Sequence, residues 1–375
     1  MNNTKMSSDM SSVPSSVNSA TTVTSMLTTS HNEMLTIAQK MHWATSVVVG
    51  IIFVAIGLVG NTLSIMIWNR KSLRSSTGIY LIAQAIADIG VLVFFFVTDS
   101  IVMMEPTIKI PYSYGVFFSY IGYPFFFLFV ICSIWITVGV TVDRYIQVCW
   151  IGYSKAMCSQ RRALTGIGII VLLCFIINLP HFWTFHAVAV EDRAKPDDPG
   201  FAKAEFGQTG GSDEYEFWVH CMFLVLVPWV TIFILNMLII REVSLANKKM
   251  NKARGEEMKE KTKKKEAQIT RLLLTVTFTF LILIALQCIT QCFFMMKPNV
   301  ANHEMVNKAF SIAKLGVIIN SSINFILYCL SGQRFRKELY GLIVKRVDRI
   351  KSSSVSMSET SSTRLTSSKS NRSSM

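Results

Sequence analysis

Few side chains in this sequence combine chemical capability with an unusual position. Asp88 sits inside an apolar run, in Ala85-Ile86-Ala87-Asp88. Asn61 lies in a second such run, and Asn320, Ser321 and Asn324 share a third. Ionisable groups within long apolar segments are costly and mark function by default. A carboxylate ringed by hydroxyl and amide oxygens suits a hard cation, and the same set would also serve as a hydrogen-bonded structural cluster. Asp143-Arg144-Tyr145 offers different chemistry at the end of an apolar run. An arginine flanked by an aspartate there is either an interfacial ion pair or a switch. No nucleophile–base pair accompanies these groups. The histidines (His31, His42, His181, His186, His220 and His303) are scattered, so the sequence predicts no enzyme, no cofactor and no clustered metal site.

The elements that must position these residues are membrane spans. Of 375 residues, 51% are hydrophobic and only 16% charged, against about 25% charged in average soluble domains. That excludes a soluble enzyme and, despite a net charge of +14, a nucleic-acid partner. Eight cysteines are too few for a disulfide scaffold. The first forty residues hold no apolar segment of the signal-peptide kind. Seven apolar runs have roughly the 20 residues that cross a bilayer as helix: 43–69, 77–104, 116–148, 162–185, 217–240, 269–296 and 306–330. Barrel alternation is absent, and a span in lipid must satisfy its backbone internally. The expected fold is an all-α seven-transmembrane helical bundle over 43–330. Phe335, Leu339, Leu342 and Ile343 recur on one face among basic residues, which predicts a short amphipathic helix on the membrane lipid over 331–346.

Charge placement orients the bundle. With 1–42 outside, the cytosolic loops and tail carry 27 Lys/Arg against 8 acids, and the outer segments 9 against 13. The N-terminus is expected outside and the C-terminus in the cytoplasm, at the plasma membrane. Residues 1–42 and 347–375 read as disordered Ser/Thr-rich tails. The first carries a glycosylation sequon at Asn2; the second, with 15 Ser/Thr between Ser352 and Met375, reads as a solvated tail or a kinase-substrate cluster.

Taken in order and spacing, Gly60-Asn61, Ala87-Asp88, Asp143-Arg144-Tyr145, Pro228 and Asn324-Phe325-Ile326-Leu327-Tyr328 resemble the span landmarks of rhodopsin-like (class A) G-protein-coupled receptors over about residues 43–346. Val142 to Cys149, Asn178 to Trp183 and Asn320 to Phe325 are similar to stretches of invertebrate FMRFamide-type neuropeptide receptors. The resemblance implies an allosteric sodium ion held by Asp88, Ser133, Asn320 and Asn324. It implies that Asp143, Arg144, Tyr145 and Tyr328 form a switch toward a heterotrimeric G protein, with Glu266 as a resting-state partner of Arg144; a solvated charge run after Lys263-Lys264-Lys265 is the other reading of Glu266. Ile134, Pro228 and Phe280 match the family's packing switch, against plain core. A receptor kinase and arrestin are the implied partners of the tail.

The departures from the pattern are specific. Ser119 stands where the third span should carry a Cys, and the loop 186–216 has none. Ile284 and Leu286 replace the usual Trp and Pro of the sixth span, and Asn236 replaces a Tyr of the fifth. These losses keep open an atypical receptor: a peptide scavenger, or an arrestin-biased receptor with weak G-protein coupling. The loop after the fourth span has a net charge of −5, read either as a solvated acidic loop or as steering for a cationic peptide. Asp99, Tyr120, Tyr123, Trp183, Glu214, Glu216 and Lys314 are the candidate ligand contacts at the outer mouth. No Asp in the outer half of the third span would anchor an amine, and Ile318 occupies the family's retinal-lysine position.

Overall fold

The computed structural model describes residues 37, 40–104, 110–192, 200–252, 274, 275, 277–285, 289, 303–342 and 344. Helix α1 spans Lys40–Trp68, α2 Ser76–Met104 and α3 Tyr112–Cys149. Helix α4 is a short piece, Ile151–Met157, and α5 spans Gln160–Trp183. A two-stranded antiparallel hairpin follows, β1 (Phe185–Ala187) against β2 (Phe201–Lys203). Helix α6 covers 210–252, α7 277–285, α8 His303–Ser331 and α9 333–342. Among the described residues six helices are long and apolar enough to cross a membrane; α7 is the described part of the sixth predicted span. The protein is a seven-helix membrane bundle.

Local sequence explains where these helices begin and break. Ser75 and Ser159 are extended N-caps whose hydroxyls accept from Gly78 N at 3.1 Å and Arg162 N at 3.4 Å, satisfying amides that a helix start leaves orphaned. Pro111 is extended and releases α3 at Tyr112, four residues ahead of the predicted start. Three of the described membrane helices carry internal prolines. Pro180 lies in the tightened last turn of α5, and widened helix precedes the other two, 118–122 before Pro124 and Phe217–Leu226 before Pro228. A proline donates no backbone hydrogen bond, and side chains of neighbouring helices bond carbonyls at the latter two sites. Asn178 Nδ2 donates to Pro124 O at 2.9 Å, and Trp135 Nε1 donates to Phe223 O at 3.2 Å.

Other boundaries differ from the sequence reading as well. Helix α1 starts at Lys40, inside the segment 1–42 that was expected to be disordered. The fourth span ends at Trp183, and Phe185 belongs to β1 rather than to the span. The terminal helix occupies 333–342 within the expected 331–346. Residues 1–36 and 345–375, Glu266 and Leu286 lie outside the described residues.

The core is divided. A large cluster around Val91, Leu92, Ile131, Ile134, Ile232, Phe280, Ile284 and Ile318 fills the bundle's centre. A smaller one, Ile67, Trp68, Leu81, Val140, Tyr328 and Phe335, seals the end at which α8 turns into α9. Helices α7 and α8 approach so closely at Gly316 that a side-chain Cβ there would lie 2.7 Å from the Leu283 carbonyl oxygen.

Candidate functional site

Asp88 on α2 is completely buried. Ser133 Oγ of α3 donates to its Oδ1 at 2.6 Å, and Asn324 Nδ2 of α8 donates to its Oδ2 at 2.9 Å. Ser321 also faces the carboxylate. Asn320 is buried on the same helix but makes no hydrogen bond to Asp88 among the described residues. Asn61 of α1 joins the arrangement by donating to Ser321 O at 2.8 Å. Three of the four residues expected around a cation therefore meet directly. Their oxygens, with Ser321, form an all-oxygen donor set that fits a small hard cation.

One end of the bundle holds the second cluster. The Asp143 carboxylate is buried and accepts hydrogen bonds from Ser76 Oγ at 3.2 Å, from Thr77 Oγ1, and from Gln147 Nε2 at 2.7 Å. Arg144 Nη1 donates to Gln147 Oε1 at 3.0 Å. Gln147 Nε2 also lies 3.2 Å from both Ser76 Oγ and Thr77 Oγ1. The Cys158 thiol donates to Asp143 O at 3.6 Å, and burial together with the Asp143 carboxylate pushes this thiol up to about 11, so it stays protonated. Arg144 lines a small recess with Val140, Thr141, Asn236, Ile239, Leu274 and Thr277, between α3, α6 and α7. Asn236 is buried and donates to Thr277 Oγ1 at 2.7 Å. Tyr145 is half-buried near Trp150, with ring centroids 6.3 Å apart. Tyr328 is buried edge-on against Trp68, 5.7 Å away. The predicted Arg144–Glu266 pairing falls outside the described residues.

At the opposite end Lys314 Nζ of α8 donates to Asp99 Oδ1 of α2 at 2.6 Å, and His42 Nε2 of α1 is 3.6 Å from the same oxygen. His42 Nδ1 is also 3.1 Å from Ser311 Oγ. The other proposed contacts separate from this pair. Tyr123 packs against His181 and Phe185, at 5.4 and 4.8 Å between ring centroids. Tyr120, Trp183 and Glu214 are exposed, and the Glu216 side chain lies outside the described residues. Ile134 and Phe280 share the main core cluster, and Pro228 is buried on α6.

The hairpin covers this end without a disulfide. Ser119 is fully buried. One residue earlier, Phe118 stacks on Phe201 of β2 with centroids 3.8 Å apart and ring planes 17° from parallel. A Cβ on Gly115 would come 1.8 Å from the Gly200 carbonyl oxygen, so the glycine permits the backbones to touch. Apolar stacking occupies the place where the family pattern carries a disulfide and where the sequence already showed both cysteines to be absent.

Several residues of these sites escaped sequence reasoning. Gln147 was visible only as part of a resemblance. Ser76 and Thr77 looked like an ordinary helix start, and His42 like one scattered histidine. Ser76 and Thr77 bond to residues 66 to 71 positions away and His42 to Ser311, 269 positions away, separations no local pattern encodes. Gln147, by contrast, meets Asp143 and Arg144 at offsets of four and three within one helix.

Helices crossing a membrane, a buried carboxylate shared by α2, α3 and α8, and an arginine held at the end of α3 define a membrane receptor of the seven-helix kind. Residues 60–328 match the 7 transmembrane receptor (rhodopsin family), and the chain belongs to that family. Similar proteins include the FMRFamide receptor of Drosophila melanogaster, 28% identical over 84% of this chain and 56% of its own length. The sex peptide receptor of Drosophila melanogaster is 22% identical over 81% of this chain and 73% of its own length. An FMRFamide peptide receptor of Caenorhabditis elegans is 24% identical over 77% of this chain and 67% of its own length. The match to the Drosophila FMRFamide receptor thus spans little more than half of that protein.

Proposed function

We propose that this protein is a plasma-membrane receptor for a neuropeptide of basic, amidated, FMRFamide-like chemistry, signalling through a heterotrimeric G protein. The observation that carries the reading is Arg144, held by Gln147 at the end of α3 beside a recess between α3, α6 and α7, inside a rhodopsin-family match. Similarity to two receptors named for FMRFamide supports the ligand class. The distribution of Lys and Arg supports an outward N-terminus and a cytoplasmic Arg144 end.

In this reading the Lys314–Asp99 pair and the exposed aromatics lie at the mouth that the peptide enters. A sodium ion at Asp88, with Ser133, Asn320, Asn324 and Ser321 as its oxygen donors, favours the resting packing, because a ligand shifts an equilibrium only by its differential affinity for the two states. Activation frees Arg144 toward the G protein. Helix α9, with Arg334, Arg336 and Lys337 exposed, lies on the anionic inner leaflet. The tail from Ser352 onward receives phosphate from a receptor kinase and then binds arrestin.

Expression of the full chain with a panel of amidated neuropeptides, reading G-protein dissociation and arrestin recruitment separately, tests the assignment. A ligand giving both responses is the expected result. Silence in both, with normal surface abundance, overturns it. One observation favours the second reading, a scavenging or arrestin-biased receptor: Asn236, placed where the family carries a Tyr, is bound to Thr277 of α7. Arrestin recruitment without G-protein dissociation would select that reading.

A further inference from the structure

We propose that Gln147 is a positioning residue that holds Arg144 in its resting place, the amide standing between a carboxylate and a guanidinium that do not pair directly. This rests on the receptor reading above. The carboxylate of Asp143 is already occupied: Ser76 and Thr77, at the start of α2, donate to it together with Gln147 Nε2. Arg144 in turn gives Nη1 to Gln147 Oε1 at 3.0 Å. A carboxamide fits this place on both sides, because it has a donor end for the anion and an acceptor end for the cation. Helical spacing supplies the geometry. Gln147 is four residues after Asp143 and three after Arg144, and both offsets put side chains on one face.

The arrangement ties Arg144 to α2 as well as to its own helix. Through the Gln147 amide, the guanidinium is coupled to Ser76 and Thr77, the first residues of α2. Release of Arg144 toward a partner requires the Oε1 bond to break. The barrier to activation therefore includes one charge-assisted hydrogen bond set by residue 147.

The test is ligand-free nucleotide exchange on a co-expressed heterotrimeric G protein, normalised to surface receptor. Gln147→Leu leaves an apolar side chain one atom shorter and removes both polar ends. It is expected to raise the ligand-free rate roughly tenfold, the scale of one hydrogen bond to a charged group, with the agonist-stimulated ceiling retained. Gln147→Glu keeps an acceptor for Arg144 and makes it anionic. It also replaces the donor to Asp143 by a like charge, but that repulsion lies within α3 and is common to both states, whereas the pairing with Arg144 belongs to the resting state alone. This variant is expected to lower the ligand-free rate below that of the unsubstituted chain. Opposite signs for the two variants are the signature, because loss of packing alone would move both in the same direction. Two changes of the same sign, or a Gln147→Leu rate no higher than the unsubstituted rate, overturn the proposal. If a peptide stimulates the unsubstituted receptor while either of those results is found, the clamp fails and the receptor reading stands. If no ligand and no variant stimulates any heterotrimer, G-protein coupling fails and takes the clamp with it.

Discussion

At the scale of single residues the deciding fact is that Asp88 is enclosed and fully engaged. A buried charge costs several kcal/mol unless its lone pairs are satisfied, and here each carboxylate oxygen accepts one short hydrogen bond. Removing a donor should therefore hurt more than neutralising the acid. Asn324→Ala removes the amide that donates to Oδ2 and is expected to lower stability by about 2 kcal/mol. Asp88→Asn keeps the shape, removes the burial cost of the charge and is expected to stay within about 1 kcal/mol of the unsubstituted protein. Thermal unfolding in detergent measures both. Ligand affinity should respond to sodium in the unsubstituted receptor and lose that response in Asp88→Asn. The burial of Asp88 was legible from one letter in an apolar run. Asn320 is placed in the ring by the family resemblance alone; it is buried, and among the described residues it makes no hydrogen bond to the carboxylate.

At the scale of elements α9 is held by two attachments of unequal strength. Phe335 is buried against Trp68, Tyr328 and Phe325, at 5.5 to 5.8 Å between ring centroids. Glu338 accepts from Arg70 Nη1 at 3.0 Å and Ser72 Oγ at 2.6 Å in the turn after α1. Phe335→Ala should cost about 3 kcal/mol and sharply raise hydrogen exchange over 333–342. Glu338→Gln should cost no more than about 1 kcal/mol, because the pair is water-exposed. The Ser72 and Arg70 hydrogen bonds hold the Glu338 carboxyl below the ordinary glutamate range. A carboxylate depressed in the folded state stabilises above its unfolded pKa, and that contribution fades as pH falls through the folded value. The exchange protection that Glu338 adds should thus be full at neutral pH and disappear only in acid below the usual glutamate titration. The apolar periodicity of α9 was visible in sequence; the Arg70–Glu338 pairing, 268 positions apart, was not.

At the scale of the whole molecule the hairpin and the bundle are joined by stacking and backbone contact. The Phe118–Phe201 stack and the Gly115–Gly200 approach bring β2 against α3 where the family pattern carries a disulfide. Gly115→Val should displace the hairpin, because the added carbons have no room beside the Gly200 carbonyl. Proteolytic nicking of the outer loop should rise in this variant. In the unsubstituted protein the same nicking should be indifferent to a reducing agent. A loop that loosens on reduction would show that a covalent tether holds it after all.

Seven crossings and the two polar landmarks on the second and third spans were legible in the sequence alone, and the same sequence predicts their orientation by charge. The reason is that a bilayer imposes one-dimensional rules, a length of apolar residues and a bias of Lys and Arg between its faces. Lateral neighbours obey no such rule. Which hydroxyls reach Asp143, that Gln147 rather than Asp143 receives Arg144, that Lys314 closes on Asp99, and that aromatic stacking stands where the family pattern carries a cysteine pair were decided only by the tertiary structure. All but the Gln147–Arg144 bond, which lies within α3, are contacts between separate elements whose rotation and spacing depend on every side chain packed between them.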